Sequence, residues 1–358
     1  MRHIPSGAPI KEQQNSTHTY ITMDLTTKYL GMEIKNPLVP SASPLSKNLD
    51  TARQLEDAGA GAIILFSLFE EAVVAEEETL VRFLHHQDTG FGEADTFLPA
   101  RKDFVSSLDR YLNQLQALKQ ALDIPVIASL NGSTPGGWIK HARVLEEAGA
   151  DALELNAYFV AANPEQSGAE VEARYLLLLH DLKQHISIPV NMKLSPSFSS
   201  VSHMVKRLEE AGADGVALFN RFYQPDINID SMRLAPHLFP SNSTDALLAM
   251  RWIAILHGRT DLSLGATGGI HTAEDAIKLL LAGADVVHLC NVLLERGPAY
   301  LGDILQGIQS WMETQGIDDI NQVRGQVSQY MVADPAQFER ANYIHVLDSY
   351  TVSPGAWV

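Results

Sequence analysis

Residues Leu262 to Asn291 read LSLGATGGIHTAEDAIKLLLAGADVVHLCN. The stretch predicts a strand over Leu262–Ala266, a glycine turn, a helix, a small-residue turn and a second strand over Asp285–Leu289. Gly268 and Gly269 let the backbone turn sharply and approach a ligand closely. Thr272 has the character of a helix N-cap, and Asp275 completes a capping box. Ala276, Leu279, Leu280 and Ala284 supply the apolar helix face. Glycine amides beside a helix N-terminus form an anion pocket, most often for phosphate, although a single GG pair is also found in plain strand-to-helix turns.

The phrase that precedes the last strand recurs. Leu55-Glu-Asp-Ala-Gly-Ala60, Leu145-Glu-Glu-Ala-Gly-Ala150 and Leu208-Glu-Glu-Ala-Gly-Ala213 are each followed by an apolar run, Ala62–Leu65, Ala152–Leu155 and Gly215–Phe219. Each phrase reads as a helix ended by glycine and feeding a buried strand. Between them lie strands opened by proline, where the ladder is not interrupted: Asn36–Val39, Ile124–Ser129 and Ile188–Lys193.

Gly149 and Gly212 stand 63 positions apart, Gly212 and Gly283 71, and Gly59 and Gly149 90. A (β/α)8 barrel uses roughly 31 residues per unit, so the first two gaps hold about two units each and the third carries an insertion after strand two. The count predicts an α/β (β/α)8 TIM barrel, with Leu262–Asn291 as units seven and eight, where such barrels commonly hold phosphate. A doubly wound open sheet is disfavoured by the eightfold count. An N-terminal hairpin over Leu25–Val39, turning at Gly31, enters strand one. The expected organisation is a flexible leader over 1–22, a barrel over 23–325, and a C-terminal extension over 326–358 with a helix at Pro335–Tyr343. Met23 is the expected start of the patterned chain.

With 46% hydrophobic and 19% charged residues, the chain has a large core available. Its net charge of −17 argues against nucleic acid and anionic membranes as partners. One cysteine, Cys290, allows neither an internal disulfide nor a cluster ligated by this chain alone, and suits a reducing cytoplasm. No signal peptide or spanning segment is evident. The acidic run in the insertion, Glu70 to Glu78, reads as a solvated face of a lid or subunit contact.

Strand ends on the catalytic face of a barrel carry function. Here they deliver Ala42 and Ser43 after strand one, Ser67 after strand two, then Asn131, Asn156, Lys193 and Asn220. An ammonium at the end of a buried strand needs an anion or must lose its charge. Converging amides, one lysine and a phosphate cradle suit a polar heterocycle with a phosphorylated tail. FMN is the simplest match, with Asn amides at its pyrimidine edge and Lys193 near N1–O2.

From about Met23 to Gly325 the chain resembles the dihydroorotate dehydrogenase family, most closely its soluble class I type. The resemblance rests on NPLVPSAS, GAIILFS, ELN at strand four, the lysine of NMKL, GATGGI, and LLERGPAYL after strand eight. It implies FMN, with Ala42 and Ser43 along the flavin, Ser67 near its ring, Asn131 and Asn156 at its polar edge, and Lys193 on the N1–O2 side. Asn220 would face ring or substrate, and Gly268, Gly269, Cys290 and Asn291 would hold the phosphate. It further implies oxidation or reduction of a CH–CH bond in a small dihydropyrimidine-like substrate, as in pyrimidine metabolism.

Two positions depart from the family. Phe159 stands where the family carries a Cys or Ser base, and Phe66 where it carries a lysine that contacts flavin and substrate. Tyr158 is the candidate substitute acid–base group, and Asn163 a candidate contact to a substrate amide. Two other readings stand beside this one. One is a flavin-free phosphate-binding barrel in which Lys193 forms a Schiff base, as in aldolases. The other is a non-catalytic flavoprotein subunit of a redox complex. A homodimer is compatible with the sequence, and the electron acceptor is not legible in it.

Overall fold

The computed structural model describes residues 23–76, 78–79, 105–132, 135–157, 159–221, 224–235, 239–339 and 343. The expected leader, Tyr158 and most of the insertion lie outside these residues.

A hairpin of β1 (Thr27–Tyr29) and β2 (Met32–Ile34) precedes the first barrel strand, β3 (Leu38–Pro40). The remaining barrel strands are β4 (Ile63–Phe69), β5 (Val126–Asn131), β6 (Ala152–Asn156), β7 (Val190–Leu194) and β8 (Gly215–Leu218). A small exposed hairpin, β9 (Asp226–Asn228) with β10 (Arg233–Ala235), follows β8, and β11 (Ser263–Thr267) and β12 (Val286–Leu289) finish the barrel. The eight strands form one parallel sheet in the order β3-β12-β11-β8-β7-β6-β5-β4. The two end strands meet where the Gly61 N–H donates to Leu38 O at 2.8 Å. Helices follow the strands, so the molecule is a nearly closed (β/α)8 TIM barrel, as the spacing of the glycines predicts.

The repeated phrase has a structural reason at each position. Leu55, Leu145 and Leu208 are buried between helix and sheet. The following carboxylates brace the neighbouring loop: Glu56 accepts from the Asp123 N–H, Glu146 from Ser187 and Glu209 from Asp261. Gly59, Gly149, Gly212 and Gly283 have φ between +96° and +118°, the left-handed turn that ends a helix. Asp151, Asp214 and Asp285 then accept from N–H groups at the starts of the preceding strands, those of Val126, Val190 and Leu264. Each is also paired with a cation, Lys119, Lys183 and Arg324 respectively.

Period-two alternation assigns the two faces of each strand. Leu153, Leu155, Met192 and Leu194 pack outward against the helices. Ala152, Ile127, Ile64, Val39 and Val286 point inward and form the lowest interior layer with Tyr29 and Leu30 of the hairpin. The hairpin therefore plugs the N-terminal mouth. Room for it comes from strand glycines, because a Cβ on Gly215 would lie 2.6 Å from the Leu30 side chain.

Several boundaries differ from expectation. β4 runs on to Phe69, two residues past Ser67, because its register shifts between Ile64 and Ser67 and absorbs an extra residue. The Tyr111 hydroxyl bonds both the N–H and the C=O of Ser129 beside the shifted pairs. At the C-terminal end the first part of the helix expected over Pro335–Tyr343 is a 3-10 turn, Pro335–Phe338, capped by Asp334; residues 340–342 lie outside the described residues, and Tyr343 is helical. Before it, the N–H groups of Gly325, Val327 and Gln329 bond to Leu280, Leu281 and Ala254 of the outer helices.

Candidate functional site

Above the apolar bottom layer the barrel interior turns polar. Ser129 of β5, Glu154 of β6, Asn191 of β7 and His288 of β12 form a middle layer, all 0–1% exposed. One residue pair higher, in register with one another across adjacent strands, stand Asn131, Asn156 and Lys193. Asn220, just past β8, reaches over with its Nδ2 and donates to Asn156 Oδ1 at 2.8 Å. The converging amides and lysine read from the strand ends are thus gathered at one rim.

Lys193 is 8% exposed, and its Nζ lies 3.3 Å from Glu154 Oε1, the anion that the sequence argument required but did not name. Asn191 Nδ2 donates to the other oxygen, Oε2, at 3.3 Å. Below, Tyr29 OH and His288 Nε2 are 3.2 Å apart, and His288 Nδ1 lies 4.0 Å from Glu154 Oε2. Burial lowers the His288 pKa to about 4, opposed by Glu154 and aided by Lys193. Burial also raises the Tyr29 hydroxyl well above its usual value, and Glu154 and Asp285 add to that. Glu154 sits two residues before Asn156 in the ELN phrase; its inward parity was legible, its partner was not.

Around the rim, Ser43 is buried, and its side chain makes no capping bond to the 3-10 turn Pro44–Lys47 that it precedes. Ala42 packs against the interior cluster. Ser67 and Ser129 hydroxyls share a hydrogen bond of 2.9 Å. The bulge turns Phe66 outward, where its ring meets Tyr111 edge-on at 4.8 Å and Lys47 Nζ lies 5.2 Å from its centroid.

Gly268 and Gly269 have φ of +93° and +74°, a left-handed pair. They differ in surroundings. A Cβ on Gly269 would stand 2.3 Å from Ala246 N, whereas one on Gly268 would meet nothing within 4 Å. Gly269 is therefore demanded by packing, and Gly268 borders open space. The Thr272–Asp275 capping box expected after them is present. Across the ladder Cys290 caps the helix Asn291–Arg296; burial raises its thiol pKa, keeping it neutral. The Asn291 side chain donates one N–H to Glu295, leaving its Oδ1 and its main chain to face a ligand. A cleft lined by Ser197, Phe219, Asn220, Arg221, Thr267 and Gly268 joins the amide end of the rim to the glycine end. Arg221 was not singled out in the sequence, having no motif around it.

On the loop after β6, the Phe159 ring carries the Arg174 guanidinium 3.9 Å above its centroid. The Tyr175 hydroxyl donates to Ala157 O and ties the same loop to its helix. Asn163 is exposed, and its Oδ1 accepts from the Glu165 N–H within its own turn. A second depression, between Lys28, Glu33 and Asn321, lies at the hairpin end, away from the rim. No cluster of three or more metal-ligating side chains exists among the described residues. No helix among them is long and apolar enough to cross a membrane.

Comparison with known proteins gives one consistent family. The model described as Dihydroorotate dehydrogenase matches residues 104–312. The chain is 26% identical over 306 residues to the dihydroorotate dehydrogenase A (fumarate) of Lactobacillus delbrueckii subsp. bulgaricus, covering 83% of this chain and 96% of that protein. It is 25% identical over 341 residues to the NAD-dependent dihydropyrimidine dehydrogenase subunit PreA of Escherichia coli K12, covering 90% and 81% respectively. The dihydroorotate dehydrogenase B (NAD(+)) catalytic subunit of Methanothermobacter thermautotrophicus is 24% identical over 311 residues, covering 84% and 97%.

Proposed function

Because the chain belongs to the dihydroorotate dehydrogenase family, we propose that it is an FMN-dependent oxidoreductase acting on a CH–CH bond of a small dihydropyrimidine-like substrate. One observation carries this reading: Asn131, Asn156 and Lys193 stand level on three adjacent strands, with Asn220 bonded to Asn156 beside the open Gly268 turn.

The donor set fits the cofactor. Asn131, Asn156 and Asn220 offer amide donors and acceptors to a pyrimidine-like edge, and Lys193 offers a cation. Main-chain groups at Gly268, Gly269, Cys290 and Asn291 hold the phosphate, which suits a pocket in a protein of net charge −17. Ser43 and Ser67 border the ring, with Ala42. When bound, FMN accepts or donates a hydride. Lys193, 8% exposed at the rim, would stabilise negative charge on the cofactor.

The substrate side is less polar than the family pattern. A phenyl ring at position 159 cannot accept a proton, and the Arg174 cation stacked on it keeps that ring in place. Proton transfer therefore falls to another group, and Tyr158 is the candidate carried from the sequence. The same outward-facing loop presents Asn163 to a substrate. Reoxidation passes to a soluble acceptor or to a partner subunit, since Cys290 alone binds no cluster. We place the enzyme in the cytoplasm.

The test is an absorption spectrum of the purified protein, followed by anaerobic titration with 5,6-dihydrouracil and dihydroorotate. Flavin bands that bleach with either compound support the reading. Colourless protein that takes up no added FMN overturns it. Flavin bands that neither compound bleaches would favour the non-catalytic subunit instead.

A further inference from the structure

We propose that Glu154 is a positioning residue, the buried carboxylate that fixes the Lys193 ammonium beneath the cofactor; the inference rests on the FMN reading above.

The geometry is that of a column along the barrel axis. Lys193 Nζ and Glu154 Oε1 are 3.3 Å apart, Asn191 Nδ2 occupies Oε2, and His288 with Tyr29 closes the column from below. Glu154, Asn191, His288 and Tyr29 are 0–1% exposed, so the carboxylate is shut off from bulk solvent at the sides and from beneath. A carboxylate in such a place is tolerated only when paired and hydrogen-bonded. With Tyr29 donating to His288 Nε2, the imidazole presents Nδ1–H towards Glu154 Oε2, 4.0 Å away. That nitrogen has no other partner. Low His288 basicity keeps this ring neutral, so among the described residues Lys193 is the cation paired with Glu154.

A lysine side chain has four rotatable bonds, and an untethered one spreads its charge over many positions. The backbone register sets Lys193 level with Asn156, and the Glu154 contact selects the rotamer that holds the ammonium beneath the rim. The carboxylate therefore acts on the cofactor only through Lys193. It also partly offsets the lysine's charge, so positioning and mere counter-charge make opposite predictions. Loss of positioning lowers the flavin's midpoint potential, because the cation leaves. Loss of counter-charge alone raises it, because the cation stays and is unopposed.

Flavin-free wild-type protein, Glu154→Gln, Glu154→Asp, Lys193→Met and the Glu154→Gln/Lys193→Met pair are reconstituted with FMN. FMN affinity is read by fluorescence quenching and midpoint potential by dye equilibration. Urea denaturation of the flavin-free proteins reads stability. We expect Glu154→Gln to weaken FMN about tenfold and to lower the midpoint potential, Glu154→Asp to recover part of both, and the double variant to bind FMN no worse than Lys193→Met. We also expect the double variant to be more stable than Lys193→Met, which strands a buried carboxylate. An unchanged or raised potential in Glu154→Gln, or additive losses in the double variant, would overturn the proposal. If Glu154→Gln does not fold, the comparison of Lys193→Met with the double variant decides whether the two groups are coupled. Wild-type protein that takes up no FMN defeats the flavin reading instead, and the urea cycle still tests the pair.

Discussion

Asn220 Nδ2 donates to Asn156 Oδ1 at 2.8 Å, and the bond arches from the end of β8 to the end of β6 across β7, the strand that carries Lys193. Removing the donor frees the Asn156 amide to rotate away from the rim. Asn220→Ala is expected to weaken FMN binding roughly five- to twentyfold, the value of about one hydrogen bond, with about 1 kcal/mol lost from the fold. FMN titration and urea denaturation measure the two effects separately. Equal affinities would exclude the amide pair from the cofactor site.

The interior imidazole gives the barrel an acid-side liability. Burial holds the His288 pKa near 4, below the ordinary value of 6.5. Between those two values the unfolded chain takes up a proton that the folded barrel refuses. The stability associated with neutral His288 is thus complete above about pH 6.5 and is lost as the pH falls towards 4, at roughly 1 kcal/mol per unit. Replacing His288 by Gln should remove that component of the slope. Urea midpoints of both proteins from pH 4 to 8 test it, and parallel curves would reject the assignment.

The two turn glycines should respond unequally to a methyl group. Gly268→Ala adds only the strain of a positive φ, about 1–2 kcal/mol. Gly269→Ala adds the same strain and drives a Cβ to 2.3 Å from Ala246 N, so it should cost several kcal/mol and displace the start of the helix Ala246–Leu256. Denaturation midpoints give the ranking. A reversed order would mean that the open side of Gly268 is not open.

Ser46 fixes the bulge in β4. Its hydroxyl accepts from the Phe66 N–H at 2.7 Å and donates to Ser43 O at 3.1 Å. Ser46→Ala leaves that N–H without its partner and is expected to destabilise the protein by about 1–2 kcal/mol. The Phe66–Tyr111 ring pair should loosen with it, visible in the near-ultraviolet circular dichroism. An unchanged aromatic signal would show that the bulge holds without this serine.

What the sequence reveals and what it hides follow from the range of the interactions. Helix ends and strand starts are written locally, in Leu-Glu-Glu-Ala-Gly-Ala and its relatives, so the eightfold order could be counted from glycine spacing. Asn131, Asn156 and Lys193 were legible because each closes an apolar run at a strand end. The counter-ion of Lys193 was not, since Glu154 lies 39 positions away and only ladder register brings the two together. Tyr29 and His288, 259 positions apart, meet only because the hairpin enters the barrel mouth. The register shift in β4 leaves no mark in composition, and so the end of that strand was placed too early.

The joint between β3 and β4 differs from the other seven. Elsewhere neighbouring strands share runs of paired residues, whereas here, among the described residues, the Gly61 amide reaching Leu38 O makes the connection. A ring with one weak joint opens there first. Deuterium should therefore enter at Gly61 well ahead of the amides at Leu153 or Asp214, and transient unzipping would begin beside Ser43 and Ser67, exposing the rim of strand ends before the base of the ring.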